Sequence, residues 1–422
     1  MQRFKNPAII FGPAPITGLG VARNLGRNGI DVYCVAESKN EIAYSRYCKK
    51  FYAVHQIEKD KNVLRDFLSN IKKKLKHPAV IFPCSDLFCV SLSQLREEPN
   101  SILNDQYVTF GESTAIETLV NKRKFYHSLD KYGVPHPKTF FPENLEDVEH
   151  ISRQVEYPVF IKPAITQLFA MFRKKGLVAH SRTELITLYE LVSKHSIDVV
   201  IQEIIPGPAT NLFGLCGYFN KKYEPQAFFA YRRIREYPLM FGTNTIIESI
   251  PTRDVLSMKN VVENYLRKIR YHGIFEAEFK KDPRNGDFKL LEINARSWWQ
   301  NSFPTKCGIN IVLMAYLDAI GEEINYSENY SYRTGVKWLF FINDIFSSME
   351  LLSRRQINVY EWLSTYTKIR DFAYLAVDDP LPWIMSLIYI SRSYAKTLRT
   401  KVFTRPFEIL SGRGDEKSKG TF

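Results

Sequence analysis

The sequence predicts a mixed α/β and α+β fold, and three features of the chain support this prediction. Residues 7–37 show a strand, a glycine-containing turn, a helix and a second strand, which is typical of a parallel βαβ unit. Residues 271–299 alternate apolar and polar side chains on both sides of a turn, which predicts an antiparallel hairpin. The 422 residues suffice for roughly two to four structural units with a large buried core.

The composition is ordinary for a globular enzyme and favours an anionic ligand. Hydrophobic residues make up 45% of the chain and charged residues 24%. The net charge of +13 favours nucleotides, acidic polymers or an anionic membrane surface. Nucleic acid is a rival on charge alone, but the basic residues are spread along the chain and no recognised nucleic-acid module is present. We therefore predict no nucleic-acid partner.

Cysteine spacing and hydropathy together predict a cytoplasmic protein. The six cysteines form neither a CxxC pair nor a spacing with histidine that suggests zinc, so we expect free thiols in a reducing compartment. The N-terminus lacks the pattern of a signal peptide. No apolar run approaches the roughly 20 residues of a membrane span.

The first βαβ unit suggests dinucleotide binding, but its spacing does not support that interpretation. We expect Gly12, Gly18 and Gly20 in the turn and a helix extending to Gly29. Arg23 occupies the third glycine position of the dinucleotide fingerprint, where a large side chain would crowd the helix against the strand. We therefore predict a Rossmann-like unit without a bound dinucleotide, and an oxidoreductase is the weakest alternative.

Polar residues at the ends of two apolar strands are candidates for ligand contacts. Ser85 and Asp86 follow the strand Ala79–Phe82, at the edge of the sheet where α/β folds place ligands. Because an aspartate at this position commonly caps a helix, we expect Asp86 to cap the next helix. Lys162 ends the apolar strand Val159–Ile161, and burying its ammonium is costly unless an anion lies nearby.

The hairpin is the strongest candidate for a functional site. Its turn is Asp282–Gly286, and an odd number of turn residues places Glu278 opposite Glu292. Leu291, Ile293 and Ala295 are then expected on the opposite, apolar face of the second strand.

The polar face of the hairpin predicts a cation site. Asn294 follows Glu292 on the same face and lies alongside Glu276. Carboxylates on one sheet face repel each other unless a cation lies between them, and hard oxygen donors suit Mg²⁺. Arg296, two residues further, is positioned to reach the same charges. The alternative, a solvated polar face, does not explain why an asparagine and an arginine follow the glutamate at strand spacing.

The residues of this face resemble the metal-binding signature of the ATP-grasp superfamily. The matching residues are Glu278, Glu292, Asn294 and Arg296. The resemblance covers roughly residues 110–325 and implies ATP with two Mg²⁺ ions bridging its phosphates, Mn²⁺ being the alternative metal. It also implies that Arg296 stabilises the transferring group or an oxyanion.

The same resemblance implies roles for residues upstream of the hairpin. Lys122, one helix before the turn Gly133–Pro135, and Lys162 match the lysines that contact ATP phosphates. Residues 199–205, before Pro206 and Gly207, match the hinge that binds adenine. The candidate adenine contacts are Gln202, Glu203 and the backbone of Ile205.

The chain departs from the superfamily pattern in two places. Ala164–Arg173 lacks the glycines that cover the phosphates in many members, so we expect Lys174 or Lys175 to supply charge there. The acidic residue that usually binds ribose after the hinge is absent, and Asn211 is the expected substitute.

Two arginines between the hinge and the hairpin indicate a branch of the superfamily. Arg233 and Arg235 alternate with Ile234 and are expected to share a face. With Trp298 and Trp299 after the metal strand, this stretch resembles D-aspartate ligases and related carboxylate–amine ligases. The resemblance implies that an arginine here holds a substrate carboxylate or phosphate.

The predicted organisation comprises three regions. They are a Rossmann-like domain over 1–114, an ATP-grasp domain of two lobes over 115–325 with a hinge near 202–207, and a C-terminal appendage over 326–422. In this appendage the apolar stretch Leu381–Ile390 precedes a basic tail, a composition typical of segments on anionic membranes. Because Pro380 and Pro382 begin a helix there, we instead expect the segment to pack on the protein body.

The predicted function is an ATP-dependent carboxylate–amine ligase. It would act on a small-molecule carboxylate and an amine through an acyl phosphate, releasing ADP and phosphate. The alternative is an ATP-binding regulatory or scaffold protein without ligase activity. The oligomeric state stays open, a homo-oligomer included.

Overall fold

The computed structural model describes residues 4–12, 14–165, 175–324 and 331–391. Within these ranges the strands form a five-stranded, a four-stranded and a seven-stranded sheet. The predicted mixed fold is confirmed.

The five-stranded sheet forms the N-terminal part of the chain and is parallel throughout. Its order is β3-β2-β1-β4-β5, and its strands are β1 (Ala8–Phe11), β2 (Val32–Ala36), β3 (Cys48–Ala53), β4 (Val80–Pro83) and β5 (Tyr107–Val108). The connecting helices are α1 (Pro15–Gly26), α2 (Lys61–Lys72) and α3 (Asp86–Arg96). All residues of β1 and β4 are buried, as expected for central strands covered by helices on both faces.

The first glycine turn is shorter than predicted, because α1 begins at Pro15. Gly18 and Gly20 lie inside this helix and permit close packing instead of forming a ligand-binding loop. A Cβ atom on Gly18 would lie 2.5 Å from Ile42, and one on Gly20 would lie 2.3 Å from Asn301.

The four-stranded sheet is antiparallel with the order β6-β9-β7-β8. Its strands are β6 (Thr139–Phe140), β7 (Val159–Pro163), β8 (Leu177–Ala179) and β9 (Val199–Glu203). Helices α4 (Ser113–Val120) and α5 (Lys122–Tyr132) precede it, and α6 (Leu145–Ile151) and α7 (Arg182–Ser193) contribute to its apolar core. Helix α5 starts at the Asn121 cap and ends at Gly133, whose φ of 65° lies in the left-handed region that favours glycine.

The seven-stranded sheet has the order β14-β13-β10-β11-β12-β15-β16. Its strands are β10 (Leu212–Phe219), β11 (Pro225–Tyr237), β12 (Thr243–Ile250), β13 (Gly273–Lys281), β14 (Phe288–Asn294), β15 (Lys337–Leu339) and β16 (Ile369–Phe372). Its helices are α8 (Leu256–Lys268), α9 (Ser302–Cys307), α10 (Ile311–Ile320), α11 (Phe341–Ser353) and α12 (Val359–Ser364). Since β15 and β16 come from the predicted region 326–422, that region shares this sheet with residues 212–294.

Residues 381–391 are helical and contact the N-terminal part of the chain. Ser386 is buried, and the hydroxyls of Tyr389 and Tyr44 lie 3.4 Å apart. Leu381, Ile384 and Leu387 are exposed. No helix in the described ranges is long and apolar enough to cross a bilayer. The basic tail lies outside the described residues, so the membrane hypothesis stays a prediction.

Candidate active site

A cleft of about 1060 Å³ lies between the four-stranded and seven-stranded sheets. Lys162 and Gln202 line it from one sheet, and Glu278 and Glu292 line it from the other. The cleft size is at the upper end of the range for small-molecule sites. Phe241, in the β11–β12 loop, stacks on Phe160 of β7 with ring centroids 4.3 Å apart, so the two sheets touch across one end of the cleft.

The predicted register of the hairpin is confirmed. Glu278 pairs with Glu292, and Glu276 pairs with Asn294. One detail of the prediction is wrong: the register shifts beyond Glu278, so Phe279 pairs with Leu290. Leu290 is therefore the core residue, whereas Leu291 lines the cleft.

The two paired carboxylates have opposite electrostatic environments. Burial and the neighbouring Glu292 raise the pKa of Glu278. Burial also opposes ionisation of Glu292, but Lys122, Lys175 and Lys162 outweigh it and lower the pKa of that carboxyl. Glu292 is thus an anion facing several cations, which is the charge arrangement of a site for phosphates and a divalent cation.

The donor set on this face fits Mg²⁺ or Mn²⁺. Two carboxylates face each other in register, and the amide oxygen of Asn294 lies one residue pair away. That oxygen accepts one hydrogen bond from Arg296 at 3.0 Å and keeps a second lone pair. No group of three or more His, Cys, Asp or Glu side chains with metal-binding geometry occurs in the described ranges, so the candidate set is two carboxylates and an amide.

Three lysines approach the carboxylates from the other side of the cleft. Lys162 donates to the Gln202 amide oxygen at 2.6 Å, and burial lowers its pKa to about 8. Lys175 donates to the carbonyl of Gly242 at 3.2 Å. Lys122 starts helix α5, and its backbone N–H donates to Ala164 at 2.8 Å. Lys174, the other predicted phosphate contact, lies outside the described residues.

The two hinge side chains predicted to contact adenine already form hydrogen bonds within the protein. Gln202 is 2% exposed and bridges Lys162 and Thr139. Glu203 accepts hydrogen bonds from Arg284 of the hairpin turn and from a backbone N–H. No described residue forms a hydrogen bond with the backbone of Ile205, which lines the cleft. Asn211, the expected ribose contact, donates to a backbone carbonyl at 3.3 Å.

The two predicted substrate arginines have different partners. Arg233 is buried and donates to Glu236 at 2.5 Å and to Glu278 at 3.2 Å, while its Nε has no partner among the described residues. Arg235 instead forms two hydrogen bonds with the buried Asp344 of α11, at 2.9 and 2.7 Å. A shift in strand register between Arg233 and Arg235 separates the two side chains. Both line the cleft, and Arg233 Nε is a buried donor without a hydrogen-bond partner among the described residues.

Parts of this chain are similar in sequence to known proteins. No protein-family model matches the chain. The chain is 25% identical over 303 residues to the D-aspartate ligase of Enterococcus faecium, which covers 68% of this chain and 70% of the relative. It is 24% identical over 241 residues to the carbamoyl phosphate synthase large chain of Pyrococcus furiosus, covering 54% of this chain and 22% of that one.

Solved structures share the fold over most of this chain. The N5-carboxyaminoimidazole synthetase of Staphylococcus aureus, complexed with ADP, matches with a TM-score of 0.60 and 15% identity over 80% of this chain and 81% of that chain. The L-amino acid ligase of Bacillus licheniformis matches with a TM-score of 0.58 and 16% identity, over 80% and 79%. This chain has the ATP-grasp fold. The predicted recognition of an ATP-grasp relative is confirmed.

One contact in this ATP-grasp cleft was not predicted from the sequence. Arg296 Nε donates to Asp86 Oδ1 at 2.7 Å, which brings helix α3 of the N-terminal sheet to the end of β14. The prediction that Asp86 caps this helix is wrong, because Ser85 accepts the hydrogen bond from the Phe88 N–H. Burial lowers the pKa of Arg296, but Asp86 outweighs it and raises that pKa overall. The one feature of the sequence that indicated a role for Asp86 in the site was its position at the carboxyl end of a parallel strand.

Two further residues that line the cleft, Glu276 and Asn244, and Tyr231 behind them were missed or left without a role. Glu276 was expected beside Asn294 but was not chosen as a site residue. Tyr231 donates its hydroxyl to Glu276 at 2.6 Å, and Asn244 donates to the Tyr231 oxygen at 3.3 Å. Tyr231 and Asn244 lie on strands β11 and β12, and no pattern in their local sequence predicts a role in the site.

Proposed function

We propose that this chain is an ATP-dependent carboxylate–amine ligase that acts through an acyl phosphate. The observation that carries the proposal is the in-register pair Glu278–Glu292 facing Lys122, Lys162 and Lys175 across one cleft. Its relatives, named as ligases and synthetases, support the same class of reaction.

Phosphate binding is assigned to the lysines and to the carboxylate pair. Lys162 is held by Gln202 at 2.6 Å, so its ammonium is oriented toward the cleft before a nucleotide binds. Glu278, Glu292 and Asn294 would hold Mg²⁺ or Mn²⁺. When bound, the cation neutralises charge on the phosphates. The backbone of Ile205, which has no hydrogen-bond partner among the described residues, and the apolar side chain of Leu291 would contact adenine.

The carboxylate substrate is assigned to Arg233. Its Nη atoms donate to Glu236 and Glu278, and its Nε is a buried donor without a partner among the described residues, so Nε is the donor assigned to the substrate carboxylate. Arg235 is assigned a structural role, since its Nε and Nη2 both donate to the fully buried Asp344.

The reaction proceeds in two displacements. A carboxylate oxygen of the substrate attacks the γ-phosphorus of ATP, the bond to the β-γ bridging oxygen breaks, and ADP leaves with that electron pair. The amine nitrogen then attacks the acyl carbon, and the carbon–oxygen bond to phosphate breaks. Arg296 lies at the end of this charge cluster, where its guanidinium would stabilise the negative charge that develops on the acyl oxygen.

A substrate screen tests the proposal. Pools of carboxylates and amines, starting with D- and L-aspartate because of the Enterococcus relative, are mixed with ATP and Mg²⁺, and phosphate release is followed. We expect release that requires both substrates and that falls by orders of magnitude in Glu292→Gln, which keeps shape and removes charge. Nucleotide binding without release in any pool would instead support the regulatory or scaffold alternative. Release that Glu292→Gln leaves unchanged would overturn the site assignment.

A further inference from the structure

The exposed apolar side chains of this protein are concentrated toward its C-terminus. Fourteen large hydrophobic residues are exposed in the described ranges, and ten of them lie between Phe341 and Leu387. Four of these ten belong to the helix 381–391, which we call the C-terminal helix. Scattered exposed hydrophobic residues are ordinary, but several on one element indicate an interaction surface.

The C-terminal helix directs its apolar side away from the protein. Leu381, Ile384 and Leu387 are spaced by three residues and share one face, and Trp383 lies one turn before Leu387. These four side chains are between 36% and 54% exposed. A surface helix normally buries its apolar stripe and exposes its polar side. In this helix the orientation is reversed.

The opposite side of the C-terminal helix is fixed to the N-terminal part of the chain. Ser386 is 1% exposed, and the hydroxyls of Tyr389 and Tyr44 lie 3.4 Å apart. Just before the helix, the buried Asp379 pairs with Arg23 at 2.9 Å. Turning the apolar face inward would break these contacts. The exposure of that face is therefore a property of the fold.

Cationic groups surround the apolar face. Residues 392–405, which follow the helix and lie outside the described ranges, contain five basic residues and no acidic residue. Lys39 is exposed, and its ammonium lies 4.6 Å from the ring centre of Tyr44, the residue that contacts the helix. At the start of the helix, the exposed Arg46 donates to the carbonyl of Asp378 at 3.3 Å. The carboxylate of Asp378 is already in an ion pair at 2.8 Å.

We propose that the apolar face of the C-terminal helix and the basic segment 392–405 attach this protein to an anionic phospholipid surface. The helix lies in the plane of the interface, with Trp383, Ile384 and Leu387 at the boundary of the acyl chains. The basic residues contact the headgroups. A short apolar face and a basic cluster are each weak membrane signals, and stable attachment requires both. This inference concerns attachment and does not depend on the proposed reaction.

The charge favours a lipid surface over a second copy of the chain. In a symmetric dimer the same face contacts itself, so the two basic segments would be brought together and would repel each other. The face is also small, because four exposed side chains on an 11-residue helix fall well short of the roughly 20–30 residues that each partner contributes to a stable interface. An anionic bilayer satisfies both the apolar side chains and the cations.

Sedimentation with vesicles tests the proposal on the full chain. The vesicles contain either equal parts of phosphatidylglycerol and phosphatidylcholine or phosphatidylcholine alone, in about 0.1 M or about 1 M salt. We expect the protein to sediment with the anionic vesicles at the lower salt concentration. Its partition coefficient should be at least about tenfold lower at the higher salt concentration or without the anionic lipid, because the attraction to the headgroups is then screened or absent.

Substitutions separate the apolar contribution from the charge. Leu387→Glu places a carboxylate on the apolar face and should lower the partition coefficient by about tenfold or more, since inserting an ionised group is unfavourable. Leu191→Glu is the matched control, because Leu191 is exposed on a different helix, α7, and should bind as the unsubstituted protein does. Glutamine at the five basic positions of 392–405 should weaken binding as strongly as high salt does. Circular dichroism verifies that each variant is folded.

Three results would overturn the proposal. The first is the absence of sedimentation of the unsubstituted protein with anionic vesicles at the lower salt concentration. The second is equal binding of Leu387→Glu and Leu191→Glu, which would show that only charge attracts the protein. The third is a dimer in analytical ultracentrifugation that Leu387→Glu dissociates, which would assign the apolar face to a second copy of the chain.

Discussion

Arg23 and Asp379 form a buried ion pair, with Nε and Oδ2 2.9 Å apart and side chains 5% and 2% exposed. Ser45 donates to the same carboxylate at 2.7 Å, and the backbone N–H of Arg46 donates at 2.9 Å. The arginine that breaks the dinucleotide fingerprint therefore holds the segment that leads into residues 381–391. A dinucleotide is not needed to explain this position.

Loss of this carboxylate should destabilise the protein strongly. Asp379→Ala leaves Arg23 buried without an anion, and removing one partner of a buried pair costs about 3–5 kcal/mol. Lys49→Ala is the control, because its pair with Asp31 is exposed and contributes about 1 kcal/mol or less. Urea unfolding followed by circular dichroism measures both. Equal midpoints for the two variants would contradict the structural role of Asp379.

The charge of Lys162 predicts the pH dependence of nucleotide binding. Burial lowers its pKa to about 8, so in the free protein the ammonium is present below that pH and is lost above it. The affinity for Mg²⁺–ADP should therefore fall as pH rises from about 7 to 9, by up to about tenfold per unit above the pKa. Lys162→Arg stays charged and should flatten this dependence. Calorimetric titrations across this range make the comparison.

Removal of the charge gives a second measurement at the same position. Lys162→Met keeps the apolar stem and should weaken nucleotide binding by about tenfold to a hundredfold, the range for a hydrogen bond to a charged group. Unchanged affinity in this variant would move the main phosphate contact to Lys175, which faces Glu292 from the same side.

Arg233 and Arg235 should respond differently to the same substitution. Arg235→Met leaves Asp344, which is fully buried, without its cation, and should lower stability by about 3–5 kcal/mol. Arg233→Met should raise the KM of the carboxylate substrate by about tenfold or more, since its unpartnered Nε is the assigned contact. Arg233→Met also breaks the buried pair with Glu236, so urea unfolding should show a loss of stability in both variants, and the KM from steady-state kinetics distinguishes them. A larger rise in this KM for Arg235→Met than for Arg233→Met would contradict the assignment.

The hairpin was predictable because its information is local. A period of two and a turn of fixed length determine which side chains face each other, so the Glu278–Glu292 and Glu276–Asn294 pairs follow from sequence. The shift beyond Glu278 was not predictable, since a bulge inserts one residue without a distinct sequence signal. It moved Leu291 from the core into the cleft.

Contacts between distant parts of the chain could not be predicted from the sequence. Asp86 and Arg296 are 210 positions apart, and no local pattern joins them. The same holds for Gly214, whose missing Cβ matters only because Tyr231 of the neighbouring strand crosses it. The pairing of β15 with β12 depends on a free sheet edge, which propensity cannot reveal.

Oxygen transfer from the carboxylate to phosphate tests the central claim most directly. The carboxylate found in the substrate screen is labelled with ¹⁸O and incubated with the protein, ATP, Mg²⁺ and the amine, and the released phosphate is examined by mass spectrometry. An acyl phosphate requires one carboxylate oxygen to leave with the phosphorus, so we predict one ¹⁸O atom in each phosphate released in the ligation. Amide formation accompanied by unlabelled phosphate would contradict the proposed mechanism.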